Sequence, residues 1–305
     1  MKIIITGANS AVGQAILRCG PKHEVATNTL VAAVRSARAA EQIRSQAGSA
    51  NGVVRISYDD PASLEAAFQG ASAVIHLAGI LVETPDSTYE QANVASTRAV
   101  VEAAKRSAVQ KIVLVSATGA NEASRNRYYR TKGEAENLVR ASGLNYTVLR
   151  APLLLGPGTA GTAALGRHVN QSRAKLVGGG RNFQQPLCVD DLARAALAAT
   201  NPSVAGNLVL DLVGPVSLPE RELVERAAQL LGRQVRIGSI PKYWVSLALA
   251  IRQRLGRPGF SRDVLDVITA DTRLNPQPAA SALGIELTGI DKMIKDSLGR
   301  GKNER

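Results

Sequence analysis

The sequence is poor in cysteine and aromatic residues, and each shortage removes a class of protein. The two cysteines, Cys19 and Cys188, form neither a disulfide framework nor a metal-binding spacing, which favours a reducing, cytoplasmic compartment. Aromatic residues make up 3% of the 305 residues and leave little for base stacking. Since no helix-turn-helix or zinc-finger pattern occurs either, we expect no nucleic-acid partner.

Acidic residues and long apolar runs are also scarce. The chain has 25 acidic against 37 basic residues, a net charge of +12. This balance favours anionic partners such as nucleotide phosphates or an anionic lipid surface, or else indicates a solvated basic surface. The apolar run 244–251 is far shorter than the roughly 20 residues that a membrane span requires. No apolar leader precedes the first predicted strand, so we expect no signal peptide.

Short apolar runs alternate with helix-like stretches through the first two thirds of the chain. The runs are rich in Val, Ile and Leu, as expected for strands of a parallel sheet that is covered on both faces. Strands are predicted at 3–6, 30–34, 53–56, 73–76, 111–115 and 146–149, and helices at 12–19, 37–47, 61–69, 86–107 and 130–142. This alternation predicts an α/β fold with a doubly wound parallel sheet.

The pattern changes after about residue 150. Glycines are frequent in 156–182, which predicts a loop and a mobile lid or substrate segment. Helical patterns at 219–231 and 243–255 predict a small, mainly helical C-terminal cap. The predicted organisation is a dinucleotide-binding domain at 1–152, a substrate and cap region interleaved with the last sheet elements at 153–298, and a flexible tail at 299–305.

A glycine motif lies between the first predicted strand and the first predicted helix. Gly7 permits a tight turn, and Gly13 permits close packing of the helix on the strand. Amides at the start of such a helix point at the pyrophosphate of a dinucleotide. Ser10 replaces the middle glycine of the usual spacing and adds a hydroxyl donor. The predicted phosphate-binding residues are Gly7, Asn9, Ser10, Ala11, Val12 and Gly13.

The ends of the next strands suggest which dinucleotide binds. Arg35 follows the second strand, where proteins that prefer NAD place a carboxylate on the ribose. A guanidinium there pairs with a 2′-phosphate, which favours NADP(H) over NAD(H), although a solvated arginine is the alternative. We expect Asp59 to accept from the adenine amino group and the backbone of Ala78 and Gly79 to lie beneath the adenine-side ribose. His76 is interpreted as a core residue.

Tyr128 and Lys132 form the candidate chemical pair. Their spacing of four places both side chains on one face of a predicted helix. An ammonium near a phenol favours the phenolate, so Tyr128 can exchange a proton with a carbonyl or an alcohol. The pair follows the fifth predicted strand, where the nicotinamide of a dinucleotide is expected to lie.

These motifs resemble those of atypical or extended short-chain dehydrogenases/reductases, which are related to NAD(P)-dependent epimerases and dehydratases. The matching segments are 6–13, 76–79, 115–117, 150–152 and 189–193, with Asn93, Tyr128 and Lys132. Residues 113–136 are most similar to a subfamily resembling the Rossmann accessory subunit of respiratory complex I. The resemblance implies a Rossmann fold and a cofactor-binding position at Pro152.

The resemblance also implies site roles. Tyr128 would be the acid/base, and Lys132 would bind the nicotinamide ribose and lower the pKa of the tyrosine. A hydroxyl residue would orient the substrate carbonyl, but Ala117 occupies the matching position. Ser116 and Thr118 flank Ala117 and point to opposite sides of a strand, so either is a candidate. Ser116 is the predicted third catalytic residue and a cofactor contact.

Two functions follow from this reading. The first is hydride transfer between NADP(H) and a small, possibly hydrophobic, carbonyl or alcohol substrate, or related epimerase or dehydratase chemistry. The second is a non-catalytic dinucleotide-binding accessory or assembly factor of a membrane-associated, complex I-like assembly. The apolar run 244–251 is followed by arginines, which predicts either a membrane-peripheral or hydrophobic-substrate surface or a packed cap helix. The oligomeric state is left open.

Overall fold

A computed structural model describes residues 1–20, 29–46, 52–77, 79–204, 206–254 and 259–299. Of the predicted cofactor contacts, Ala78 lies outside the described residues. Of the predicted tail, residues 300–305 lie outside them as well.

The strands and helices alternate along the N-terminal two thirds, as the sequence predicts. The strands are β1 Lys2–Thr6, β2 Thr29–Val34, β3 Gly52–Arg55, β4 Ala73–His76, β5 Lys111–Ala117, β6 Asn145–Ala151, β7 Leu154–Leu155, β8 Arg173–Val177, β9 Phe183–Gln184, β10 Leu187–Cys188, β11 Leu208–Asp211, β12 Leu218–Pro219 and β13 Arg236–Ile240. The helices are α1 Ala11–Cys19, α2 Ala37–Gln46, α3 Pro61–Phe68, α4 Ser96–Arg106, α5 Arg127–Arg140, α6 Ala160–Val169, α7 Val189–Ala198, α8 Glu220–Leu230, α9 Lys242–Arg254, α10 Arg262–Ile268, α11 Gln277–Leu283 and α12 Ile290–Leu298.

Seven strands form one parallel sheet in the order β3-β2-β1-β4-β5-β6-β11. Helices α1, α2 and α7 cover one face, and α3, α4 and α5 cover the other. The strand order reverses between β1 and β4, and ligands of such sheets bind outside the carboxyl ends of the strands at this reversal. The α/β, doubly wound Rossmann prediction is therefore confirmed.

The segment predicted as a loop and lid differs from the structure, because residues 156–182 contain helix α6 and strand β8. Its glycines serve turns and close contacts. Gly178, Gly179 and Gly180 form the turn after β8 with φ of 58°, 72° and 68°. A Cβ atom at Gly161, inside α6, would lie 2.3 Å from the Leu154 carbonyl oxygen. Positive φ angles in the turn and close packing at Gly161 explain these glycines, whereas the sequence pattern indicated flexibility.

The helix predicted at 86–107 also begins later than expected. A π-helical stretch, Glu90–Ala95, leads directly into α4. Residues 84–87 form a turn closed by a bridge between Thr84 and Ser87. Such π-helical stretches are frequent at functional sites, and this one contains Asn93.

The C-terminal part is a small, mainly helical cap, as predicted. Its core joins α6, α8 and α12 to strand β8 through residues such as Leu176, Val224 and Met293. Within the described part of the chain, no helix has the length and apolarity needed to cross a membrane.

Candidate functional site

The loop between β1 and α1 has the geometry of a phosphate cradle. Gly7 has φ of 72°, and a Cβ atom at Gly13 would lie 2.4 Å from the Ala8 carbonyl oxygen. The Ser10 hydroxyl caps α1 by accepting from the Gly13 amide at 3.1 Å. The amides of Ala11 and Val12 have no acceptor among the described residues. Free amides at a helix start fit an anionic phosphate group.

The residues predicted near the adenosine part of the dinucleotide lie in this loop or after the strands β2 and β3 beside it. Asn9, Arg35 and Asp59 are exposed, and Arg35 and Asp59 follow the ends of β2 and β3. Burial raises the pKa of Tyr58, while the Thr6 hydroxyl and the charge of Arg35 oppose that rise. The guanidinium of Arg35 is therefore close enough to influence the pKa of Tyr58, the residue directly before Asp59.

His76 is a core residue, as expected. Its Nδ1 lies 2.6 Å from the Thr6 hydroxyl and its Nε2 lies 3.2 Å from the Thr97 hydroxyl. Burial first, and the charge of Lys132 second, lower its pKa to about 3. The imidazole is therefore neutral at physiological pH and ties β4 to β1 and α4.

Helix α5 carries the candidate chemical pair. It begins at Arg127, three residues before the predicted start, because the Asn126 side chain accepts from the Tyr129 amide. A Cβ atom at Gly133 would lie 2.3 Å from the Glu122 amide nitrogen, so the helix packs tightly on the preceding loop. The register of Tyr128 and Lys132 against β5 is therefore fixed.

The Lys132 ammonium is buried at the carboxyl ends of β4 and β5. Its Nζ lies 3.5 Å from the Val115 carbonyl oxygen. A Cβ atom at Gly79 would lie 2.5 Å from this Nζ and 2.8 Å from Asn93 Oδ1. Burial lowers the pKa of Lys132 to about 8, and the charge of Glu136 opposes that decrease. Gly79 and Asn93 thus form the immediate surroundings of the ammonium.

Asn93 is a site residue to which the sequence analysis gave no role. Its Nδ2 donates to the Thr131 hydroxyl at 2.9 Å. Its buried Oδ1 has no hydrogen-bond partner in the described part of the chain. An unsatisfied buried oxygen is costly, and this atom is able to accept from a donor outside the protein. Its place in the matching motifs was the signal that could have identified it.

Tyr128 is half-buried in a cluster of three phenols. Its ring centroid lies 5.8 Å from that of Tyr89 and 5.6 Å from that of Tyr129. Burial, followed by the neighbouring Tyr129 and Tyr89, raises the pKa of Tyr128. This direction is opposite to the expected effect of Lys132, because burial dominates in the structure and the ammonium lies against Gly79. The hydroxyl of Tyr128 therefore holds its proton.

Ser116 is already engaged in a buried network. Its hydroxyl donates to Glu136 Oε1 at 2.6 Å, and Glu136 also accepts from Arg150 Nη2 at 2.6 Å and Nε at 3.0 Å. In contrast, the buried Thr118 Oγ1 has no partner among the described residues. Of the two hydroxyls that flank Ala117, the one at Thr118 is free for a ligand.

The site lies where several parallel strands end. Thr118 follows β5, and Pro152 lies between β6 and β7. A Cβ atom at Gly158 would lie 3.6 Å from Ala11 Cβ, so the segment after Pro152 reaches the phosphate loop. The phosphate cradle, the Lys132 ammonium with Gly79 and Asn93, and Thr118 therefore lie at the same carboxyl edge of the sheet.

Replacing Gly79 with alanine is expected to weaken dinucleotide binding. The backbone has φ of 152°, and the new methyl group would displace the Lys132 ammonium. The strained backbone alone should cost about 1–3 kcal/mol of stability. Thermal unfolding and cofactor titration measure the two effects separately.

The matched control is Gly70→Ala, where φ is 69° and a Cβ atom would have no neighbour within 4 Å. Both variants should lose stability, but Gly79→Ala alone should lose cofactor affinity. Equal affinities for the two variants would contradict the placement of the ammonium at the cofactor.

Comparisons with known proteins agree with this geometry. Residues 7–180 match the NAD(P)H-binding family. The chain is 28% identical over 181 residues to ceramide reductase of Caulobacter vibrioides, covering 59% of this chain and 57% of that protein. It is 28% identical over 195 residues to subunit 9 of the NADH dehydrogenase (ubiquinone) 1 alpha subcomplex from Arabidopsis thaliana mitochondria, covering 62% and 48%. The chain thus matches about half the length of these two relatives.

Solved structures show the same fold over nearly the whole chain. The triphenylmethane reductase of Citrobacter sp., complexed with NADP(H), superposes with a TM-score of 0.75 at 20% identity and covers 97% of this chain and 100% of that one. The match to residues 7–180 spans more than half of the sequence and includes the phosphate loop. The protein therefore belongs to the NAD(P)H-binding family, and its resemblance to the extended short-chain dehydrogenases/reductases is confirmed.

Proposed function

We propose that this protein is an NADP(H)-dependent oxidoreductase acting on a small carbonyl or alcohol substrate. The observation that carries the proposal is the shared sheet edge. Free amides of Ala11 and Val12 lie there together with the buried Lys132 ammonium and the phenol of Tyr128. An anion cradle beside a proton donor is the arrangement that hydride transfer to a carbonyl requires.

The roles follow from the contacts of each side chain. When bound, the nicotinamide supplies or accepts the hydride. Lys132 and Asn93 Oδ1 would hold the adjoining ribose hydroxyls, Lys132 as a donor and Asn93 Oδ1 as an acceptor. Thr118 donates a hydrogen bond that orients the carbonyl. Because its pKa is raised, Tyr128 stays protonated at neutral pH and gives its proton to the carbonyl oxygen. Tyr128 therefore favours reduction of a carbonyl over oxidation of an alcohol at neutral pH.

The substrate would lie between the sheet edge and the cap, near residues 153–185. Apolar side chains such as Leu153 and Leu154 are half-buried there, which suits a hydrophobic substrate. Epimerase or dehydratase chemistry uses the same set of residues and remains the alternative reaction. The proposed location of the protein is the cytoplasm or the periphery of a membrane.

Arg35→Ala tests the proposed cofactor. Arg35 is exposed and has no ion pair among the described residues, so its guanidinium is free for a 2′-phosphate. Losing a charge-assisted hydrogen bond should weaken NADPH binding about 10- to 100-fold and leave NADH binding nearly unchanged. Calorimetric titration of the purified protein with each dinucleotide measures both affinities.

Arg98→Ala is the matched control, since Arg98 is also exposed but lies on helix α4. It should leave both affinities unchanged. An unaltered NADPH preference in Arg35→Ala would remove the assignment of the 2′-phosphate site. If neither dinucleotide binds the wild-type protein, the whole proposal fails.

A second candidate is a cofactor-binding accessory factor without turnover. The observation that favours it is the engagement of Ser116 with Glu136, together with Ala117 at the position where related enzymes carry a hydroxyl. One relative is a subunit of a respiratory NADH dehydrogenase. A stoichiometric pull-down from solubilised membranes, with no hydride transfer in any substrate screen, would support this function.

A further inference from the structure

Helix α9 presents an exposed apolar face. Tyr243, Trp244, Leu247 and Ile251 have exposed fractions of 69%, 61%, 38% and 54%. Their spacings of three, four and seven place them on one side of the helix. Helix α10 packs against the other side, where Lys242 forms an ion pair with Asp266 at 3.0 Å. We call these four side chains the α9 face.

Unpaired cations lie on the strand pair that precedes α9 in the chain. Strand β13 leads through Pro241 into α9 and pairs with β8, which places Arg236 directly opposite Arg173. Lys175 lies two residues further along the same side of β8, while Ala174 and Leu176 point into the core. All three cations are exposed, and none has an ion pair among the described residues. We call these three the β8–β13 cations.

This arrangement costs stability unless an anionic partner covers it. Like charges directly opposite each other on paired strands are destabilising. A large exposed apolar patch is likewise unfavourable in water unless it has a partner. Strand β13 leads into α9 with one intervening residue, so one extended partner that is both anionic and apolar would satisfy the two features together.

We infer that the α9 face and the β8–β13 cations dock on an anionic lipid surface. Tryptophan and tyrosine favour the level of the lipid headgroups, and a helix with an apolar face lies in the plane of such an interface. The negative surface potential of the anionic headgroups then attracts the arginine and lysine side chains. A second copy of the chain fits less well, because it would oppose these cations with its own and each copy carries a net charge of +12. The inference does not depend on the proposed oxidoreductase activity.

The chain provides its own probe, because Trp244 is the sole tryptophan in the sequence. The full-length protein is mixed with vesicles of phosphatidylcholine alone, or of equal parts phosphatidylcholine and phosphatidylglycerol. With the anionic vesicles we expect co-sedimentation and a blue shift of Trp244 emission, and added salt should weaken both. With phosphatidylcholine alone, we expect neither.

Two variants separate the contributions. Leu247→Glu/Ile251→Glu should abolish the blue shift, and Arg173→Ala/Arg236→Ala should lower vesicle affinity at least tenfold, since each cation near the surface contributes substantially. The matched control Val216→Glu alters a valine of 41% exposure outside this surface and should bind normally. Unchanged thermal unfolding verifies that each variant is folded.

Three outcomes would overturn the inference. The first is no shift with anionic vesicles. The second is equal binding to both kinds of vesicle, which would remove the role of the cations. The third is a concentration-dependent shift without vesicles, accompanied by dimerisation in ultracentrifugation, which would assign the α9 face to a second copy of the chain.

Discussion

Replacing Tyr128 with phenylalanine is expected to lower turnover about 10²–10⁴-fold, the usual contribution of a positioned acid or base. The phenol packs against Tyr89 and Tyr129, and the phenyl ring of the variant retains both contacts. Cofactor affinity and thermal stability should therefore stay close to those of the wild type. Steady-state reduction of a panel of carbonyl compounds with NADPH gives the turnover, and titration gives the affinity.

The neighbouring phenol provides the control for this prediction. Tyr129 lies on the same helix, is also half-buried, and packs against Gly119. Tyr129→Phe should keep full turnover. Equal losses in the two variants would indicate packing damage. Full activity in Tyr128→Phe would assign the proton transfer to another group.

Local signals predicted the phosphate loop because its physics is local. Gly7 needs a positive φ, and Gly13 needs to lie against Ala8, and the residues involved are at most six positions apart. The strands of the sheet were equally predictable, since burial on both faces leaves a continuous apolar run. The cap of α3 is local in the same way, since the Asp60 side chain accepts from the Ala62 amide at 3.1 Å.

The surroundings of the candidate pair, Tyr128 and Lys132, could not be predicted in this way. Ser116, Glu136 and Arg150 meet because β5 and β6 pair in register and α5 packs on them, which no spacing reveals. The raised pKa of Tyr128 likewise depends on burial among phenols, whereas the sequence indicated only a nearby ammonium. The glycines around α6 were misread because close contact and flexibility leave the same composition.

Replacing Glu136 with glutamine is expected to destabilise the protein by about 3 kcal/mol. Breaking a buried ion pair costs about 3–5 kcal/mol. The lower end applies because the Arg150 side chain is 26% exposed and can be hydrated, whereas that of Glu136 is 3% exposed. The amide can still accept from Ser116, so the loss reports mainly the missing charge. Urea unfolding measures the free energy difference.

Glu134→Gln is the matched control on the same helix. Its pair with Arg130 is 3.6 Å long and exposed on both sides, so the cost should be below about 0.5 kcal/mol. The double variant Glu136→Gln/Arg150→Met should recover part of the loss, because no unpaired charge is left. A loss in Glu136→Gln no larger than that of the control would mean that the network does not hold α5 on β5 and β6.

Glu136→Gln should also shift the pH dependence of cofactor binding to lower pH. Burial lowers the pKa of Lys132 to about 8, and the charge of Glu136 opposes a further decrease. Without the charge of Glu136, Lys132 loses its proton at a lower pH. As the pH rises, NADPH affinity should therefore begin to fall already below pH 8. The affinity of Glu134→Gln should begin to fall at the same pH as that of the wild type. Because Tyr128, Lys132 and Glu136 recur every four residues along α5, one helical face carries the proposed proton donor, the ammonium and the carboxylate whose charge raises the pKa of that ammonium.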